Sequence, residues 1–165
     1  MSARSELVAL VGSGRLTPER LTPGPAVDLG CGAGANAVFL AQAGFDVVGI
    51  DFSPVALGKA RRAALIAGVS ERVRLVRADL TAPSLPDVGG PFDLLVDYGT
   101  LDDLAPTDRR AMASTIIRLA RPGSIFVRHA FYATRADLPR FSLTGPSKLV
   151  SPTSIQIRPG VLTGA

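Results

Sequence analysis

Tryptophan is absent from this 165-residue chain, and cysteine and histidine each occur once, at Cys31 and His129. A single cysteine excludes an intrachain disulfide and any cysteine-cluster metal site, so no metal centre is expected. Long apolar runs are missing too, since none approaches the roughly 20 residues that a membrane helix needs. The opening "MSARSELVALVGSGR" sets Glu6 ahead of only a short apolar run, which does not read as a signal peptide. A cytoplasmic protein with no membrane partner is the expectation. Aromatic residues are few, with seven Phe and two Tyr. The net charge of +4 comes from 18 basic residues, of which only Lys59 and Lys148 are not arginine. A nucleic-acid surface would gather arginines on one face with aromatics between them. Here Arg61, Arg62, Arg72, Arg74, Arg77, Arg109, Arg110, Arg118 and Arg121 are scattered among different elements, so no nucleic-acid partner is expected.

What is present is a regular alternation of short apolar runs and helical periods. A chain of this length fits one domain and can bury roughly 70% of its unfolded surface. Residues 5–11 read as a short amphipathic helix, 26–29 as an apolar strand, 35–43 as a helix and "DVVGI" at 46–50 as a second strand. Ser53 is placed as an N-cap, Pro54 at the first helical position and Gly68 as a stop, which predicts a helix over 54–67. "VRLVRAD" and "FDLLVD" read as the third and fourth strands, separated by the loop "TAPSLPDVGGP". A helix over 107–120 would bury Ala111, Met112, Thr115, Ile116 and Leu119 and end near Gly123, before a fifth strand "SIFVRHAFY". Strands alternating with helices imply an α/β fold, a mostly parallel sheet with helices on both faces. After Tyr132 the pattern stops, and "SIQIR" is the one weak strand in a tail with four prolines.

The most informative stretch is "AVDLGCGAGANAVFLAQAG", a strand, a glycine turn and a helix. Such a turn gathers backbone N–H groups and a helix N-terminus at one point. Gly30, Gly32 and Ala35 satisfy the loose dinucleotide pattern G-x-G-x-x-A, which leaves a nicotinamide-dependent oxidoreductase as a weak third reading. Asp28 argues against it: a carboxylate beside the loop repels a pyrophosphate and attracts a cation-bearing ligand. Two further acids, Asp51 and Asp79, follow the second and third strands, so three acids line the carboxyl edge of the sheet.

With these motifs, residues 26–132 resemble the class I S-adenosylmethionine-dependent methyltransferases. "VDLGCGAG" is similar to the family's first motif, which implies that Asp28, Gly30, Cys31, Gly32 and Gly34 hold the methionine part of S-adenosyl-L-methionine. The resemblance further implies that Asp51 accepts both ribose hydroxyls, that Phe52 covers an adenine face, and that Asp79 receives the adenine amino group with Leu80 alongside. It implies a Rossmann-like, doubly wound fold and transfer of a methyl group to a small-molecule acceptor by in-line displacement. "VDYGTLDDL" lacks the N-P-P-Y signature of the amino-methylating nucleic-acid enzymes, and "GFDVVGIDFSPVAL" looks closer to the thiopurine- and tellurite-resistance-like branch. Asp97 and Tyr98 are the candidate catalytic residues, Asp97 also a cofactor contact, and Asp102 and Asp103 lie in the following loop. Cys31 reads as a small loop residue and His129 as a partly buried strand residue. Arg128 and His129 are unexpected in a strand buried on both faces.

Two features depart from the family pattern. The segment before the first strand is short, where the family carries one that closes over cofactor and acceptor. The family's closing antiparallel hairpin is also incomplete or missing after residue 135. This divides the chain into a cofactor-binding domain at 1–135 and an irregular tail at 136–165, consistent with a truncated or frame-altered C-terminus. An uncovered fifth-strand edge would invite a homodimer. The same features raise a second function, a non-catalytic or degenerate S-adenosylmethionine-binding module that acts through a partner.

Overall fold

A computed structural model of the chain describes residues 3–17, 25–129 and 154–156. Its strands are β1 (Ala26–Leu29), β2 (Val47–Asp51), β3 (Val73–Arg77), β4 (Phe92–Tyr98), β5 (Ala120–His129) and β6 (Ser154–Gln156). Its helices are α1 (Ser5–Gly12), α2 (Ala35–Gln42), α3 (Pro54–Ile66), α4 (Thr100–Asp103) and α5 (Pro106–Leu119). The sheet runs β3-β2-β1-β4-β5-β6, with every pair parallel except β5–β6. The chain therefore winds outward from β1 through β2 to β3, then crosses to β4 and winds the other way. The strand order reverses between β1 and β4, the point at which open α/β sheets place a ligand crevice at their carboxyl edge.

Burial explains the order. Every residue of β1 and β2 is buried, as befits parallel strands covered on both faces, whereas edge strand β3 buries only Val76 and exposes Arg74 and Arg77. Alternation sends Val27, Leu29, Val48, Ile50 and Leu95 to one face, against Met112, Ile116 and Leu119 of α5. Ala26, Val47, Leu94 and Val96 face the other way, against Ala37, Leu40 and Ala41 of α2 and Leu7 of α1. Leu7 is fully buried, and a side chain of that kind contributes about 1.5–3 kcal/mol by leaving water. The segment before β1 thus anchors a helix beside α2, where Arg4 N–H also donates to Asn36 Oδ1 at 3.2 Å.

Local signals placed most elements. Ser53 Oγ accepts from Ala56 N–H at 3.2 Å, Pro54 opens α3, and Gly68 beyond it has φ +69°. Gly123 behaves differently from the expectation. Helix α5 ends at Leu119 and passes directly into β5, so the fifth strand starts four residues before Ser124 and Gly123 lies inside it. The cause is a bulge: Phe92 pairs with Ala120 but Leu94 pairs with Ile125, and Gly123 takes φ +93° in the extra length. Ser124 Oγ bridges it, donating to Phe92 O at 2.6 Å and accepting from Arg121 N–H at 2.9 Å. On α5 Ala113, not Ala111, completes the buried stripe.

The edge of β5 is not bare either. Residues Ile125, Phe126 and Val127 pair with Gln156, Ile155 and Ser154, so the chain's own backbone satisfies the groups that a second copy would have used. One antiparallel strand therefore occupies the place of the hairpin. Residues 130–132 of the expected fifth strand, the side chain of His129, the boundary at 135 and the rest of the 136–165 tail lie outside the described residues. Among the described residues no helix is long and apolar enough to cross a membrane.

Candidate functional site

The glycine turn between β1 and α2 is shaped by its neighbours. Gly30, Gly32 and Gly34 have φ +71°, +55° and +83°, a region that side-chain-bearing residues rarely enter. Space adds a second constraint at two of them. A Cβ at Gly30 would fall 2.9 Å from both Cβ and Cγ2 of Thr100, and one at Gly34 would fall 2.8 Å from Ala60 Cβ. At Gly32 nothing lies within 4 Å, so its outer side is open. Cys31 turns inward instead: its N–H donates to Ile50 O at 2.8 Å, and it is 8% exposed. Burial first, then the charges of Asp28 and Asp51, hold its thiol well above the usual range. It is an inert filler.

Asp51, the last residue of β2, organises this turn. Its Oδ2 accepts from Gly32 N–H at 2.9 Å and its Oδ1 from Ser53 N–H at 2.8 Å. It also lines a cavity of about 360 Å³ together with Gly30, Phe52, Asp79, Leu80 and the α4 residues Thr100 and Asp103. Phe52 stands 75% exposed on the wall. Asp79 is exposed and accepts from both Thr81 N–H (2.9 Å) and Thr81 Oγ1–H (2.7 Å), which pulls its carboxyl below the usual range. Three carboxylates and an aromatic face thus surround a space that could take a flat heterocycle and a diol.

Asp28, in β1 and outside the cavity lining, is 2% exposed. Burial chiefly pushes its carboxyl up to about 7; a hydrogen bond from the Ala37 backbone opposes the shift, and the charges of Asp97 and Asp51 add to it. Its Oδ2 is buried with no hydrogen-bond partner among the described residues. A buried acceptor left in that condition is a place for a donor from outside the chain.

Asp97 belongs to the opposite face, because Leu29 pairs with Asp97 while Asp28 pairs with Val96. It is fully buried and accepts from Thr100 N–H at 3.0 Å and Leu101 N–H at 3.3 Å. Burial raises its carboxyl to about 6, against the lowering influence of those amides and of Arg128. Tyr98 returns to the Asp28 face and packs in the cluster that contains Leu7; burial pushes its phenol up to about 12. Of the residues expected from the sequence, Gly30, Asp51, Phe52, Asp79 and Leu80 meet at the cavity, while Asp28, Cys31, Gly32, Gly34, Asp97 and Tyr98 are not part of its lining. Sequence reading missed Ala78, Thr81, Thr100 and Leu104 as lining residues and left Asp103 in an unassigned loop. The "GT" after β4 was the available signal, a glycine with φ +104° ahead of a helix start.

Residues 26–123 match the family model described as "Methyltransferase domain". The chain is 36% identical over 111 residues to an uncharacterized methyltransferase of Synechocystis sp., covering 64% of this chain and 47% of that one. It is 36% identical over 98 residues to a ubiquinone biosynthesis O-methyltransferase of Methylococcus capsulatus, covering 59% and 39%. In fold it is similar to the glycopeptide N-methyltransferase MtfA complexed with S-adenosyl-L-methionine, with a TM-score of 0.65, 24% identity and coverage of 81% and 57%. The chain spans less than half the length of these two curated relatives. Both O- and N-methyltransferases are among the similar proteins, and they do not single out the thiopurine- and tellurite-resistance-like branch.

Proposed function

The chain belongs to the methyltransferase-domain family, and from that membership we propose that it binds S-adenosyl-L-methionine across the carboxyl edge of the sheet and donates its methyl group to a small-molecule acceptor. The observation that carries this reading is the position of Asp51: one carboxylate fixes the glycine turn through Gly32 N–H and at the same time forms the wall of the cavity. The residues fit the cofactor. Unpartnered Asp28 Oδ2 suits an ammonium group, Asp51 a ribose, and Asp79 with Phe52 and Leu80 an adenine.

The bound cofactor would supply an electrophilic methyl group on a sulfonium. The protein's part is to bind, orient and exclude water. Asp28 adds a negative charge that favours a cation and disfavours a pyrophosphate, so a nicotinamide dinucleotide is the poorer ligand. Asp97 holds α4 through two amides and serves this function by position, while Tyr98 lies on the Asp28 side, toward the methionine end. The non-catalytic alternative gains nothing from the similar proteins, which are methyltransferases.

Calorimetric titration with S-adenosyl-L-homocysteine, S-adenosyl-L-methionine and NAD tests the cofactor. Saturable binding of the first two and none of the third is expected; NAD binding alone would overturn the assignment. A transfer screen over thiol, hydroxyl and amine acceptors with labelled cofactor tests the reaction. Tight binding without transfer to any acceptor would favour the binding-module reading.

A further inference from the structure

The α4 turn forms part of the cavity wall, yet it has only four residues and no side-chain N-cap of its own. An isolated turn of that length is unstable, because nucleating a helix costs more than one turn returns. Four groups from other elements hold it. Asp97 accepts its first amides, and Thr100 Oγ1 donates to Leu29 O at 3.1 Å. Arg109 of α5 donates to Asp102 O at 2.7 Å and Leu104 O at 2.8 Å. Arg128 of β5 pairs with the Asp102 carboxylate, and the two side chains are only 12% and 10% exposed.

That last contact explains the arginine that looked out of place in β5. A buried ion pair is costly to desolvate, and an apolar pair of similar volume often gives equal or better stability. Stability alone is therefore a weak reason for charge here, whereas geometry is a strong one. Arg128 stands in register with Asp97 on the neighbouring strand and pairs with Asp102, so the strand beside the carboxylate that accepts the α4 amides also carries the cation that holds the turn.

We propose that Arg128 is a positioning residue: through Asp102 it fixes the α4 turn, and so places Thr100, Asp103 and Leu104 against a ligand in the cavity. The inference rests on the cofactor reading above and extends it to a residue outside the cavity lining. The ion pair acts as a strut between the fifth strand and the cavity wall.

Two measurements on the full chain test it, using Arg128→Met, Arg128→Lys and Asp102→Asn. Hydrogen exchange in the ligand-free protein should show the Thr100 and Leu101 amides exchanging about ten-fold faster in Arg128→Met, with β1 amides unchanged and Arg128→Lys largely restored. Titration with S-adenosyl-L-homocysteine should show affinity about ten-fold weaker in Arg128→Met, and Arg128→Met/Asp102→Asn no worse than either single change. If Arg128→Met does not fold, Arg128→Lys and Asp102→Asn carry the same comparison. A lowered melting temperature with unchanged exchange at Thr100 and unchanged affinity would reduce Arg128 to a structural role and overturn the proposal. Failure of the wild-type chain to bind S-adenosyl-L-homocysteine overturns the cofactor reading and this inference together; wild-type binding matched by Arg128→Met overturns this inference alone.

Discussion

Thr100 is packed directly on Gly30: the first residue of α4 occupies the space that a side chain at the end of β1 would need, and its hydroxyl donates to Leu29 O at 3.1 Å. The contact joins the glycine turn to the segment after β4, and both contribute to the lining of the cavity.

Gly30→Ala should therefore fail twice, by backbone and by overlap. Its φ of +71° penalises any side chain, and Thr100 leaves no room for a methyl. A loss of about 2–4 kcal/mol is expected, combining left-handed strain with overpacking. Urea unfolding measures it. Gly30→Ala/Thr100→Gly should recover only the steric part, and full recovery would show that the backbone conformation was not limiting.

Asp51→Ala removes the acceptor shared by Gly32 and Ser53. Affinity for S-adenosyl-L-homocysteine should fall by about 1–3 kcal/mol, the scale of charge-assisted hydrogen bonds. Calorimetry decides the matter, and an unchanged dissociation constant would remove Asp51 from the site.

Asp28 and Asp97 set opposing pH dependences of stability and binding. Both carboxyls are raised in the folded chain, to about 7 and about 6, so the folded state holds more protons than the unfolded one above pH about 4. The stability that these two groups contribute should be fully present below pH about 4 and be lost as pH rises through these values. Binding of an ammonium-bearing ligand should do the reverse and strengthen as Asp28 ionises. Asp28→Asn, a neutral isostere, should flatten both slopes, as melts and titrations from pH about 5 to 8 would show. Parallel slopes in wild type and variant would mean that Asp28 is not the group responsible.

Cys31 offers a probe of integrity. Buried, with its thiol pKa raised, it should resist an aromatic disulfide reagent until the chain unfolds. Stoichiometric labelling of the native protein within minutes would contradict its packing against Gly49.

The part of this molecule most legible in sequence was the half governed by local rules. Ser53 and Pro54 announce α3, and the apolar runs of β1, β2 and β4 reflect burial on both faces. The acids Asp51 and Asp79 at strand ends reach the cavity because the sheet topology carries strand ends to one edge. What stayed hidden depends on contacts between distant residues. The bulge that absorbs Gly123 requires Ser124 to reach Phe92, and the role of Arg128 requires Asp102, 26 positions away. Asp97 was expected at the site from its position at a strand end, and pleating turns its side chain to the face away from Asp28.

The hydrogen bond from Thr100 to Leu29 also has a temporal meaning, because the two residues are 71 positions apart. During translation at about 5–20 residues per second, roughly 4–14 s separate synthesis of the glycine turn from synthesis of the α4 turn that packs on it. In that interval the cavity lacks the lining that Thr100, Asp103 and Leu104 supply. A ligand that needs both walls can be captured only after β4 has inserted beside β1, so ligand capture by ribosome-bound chains of increasing length would time the closing of the sheet.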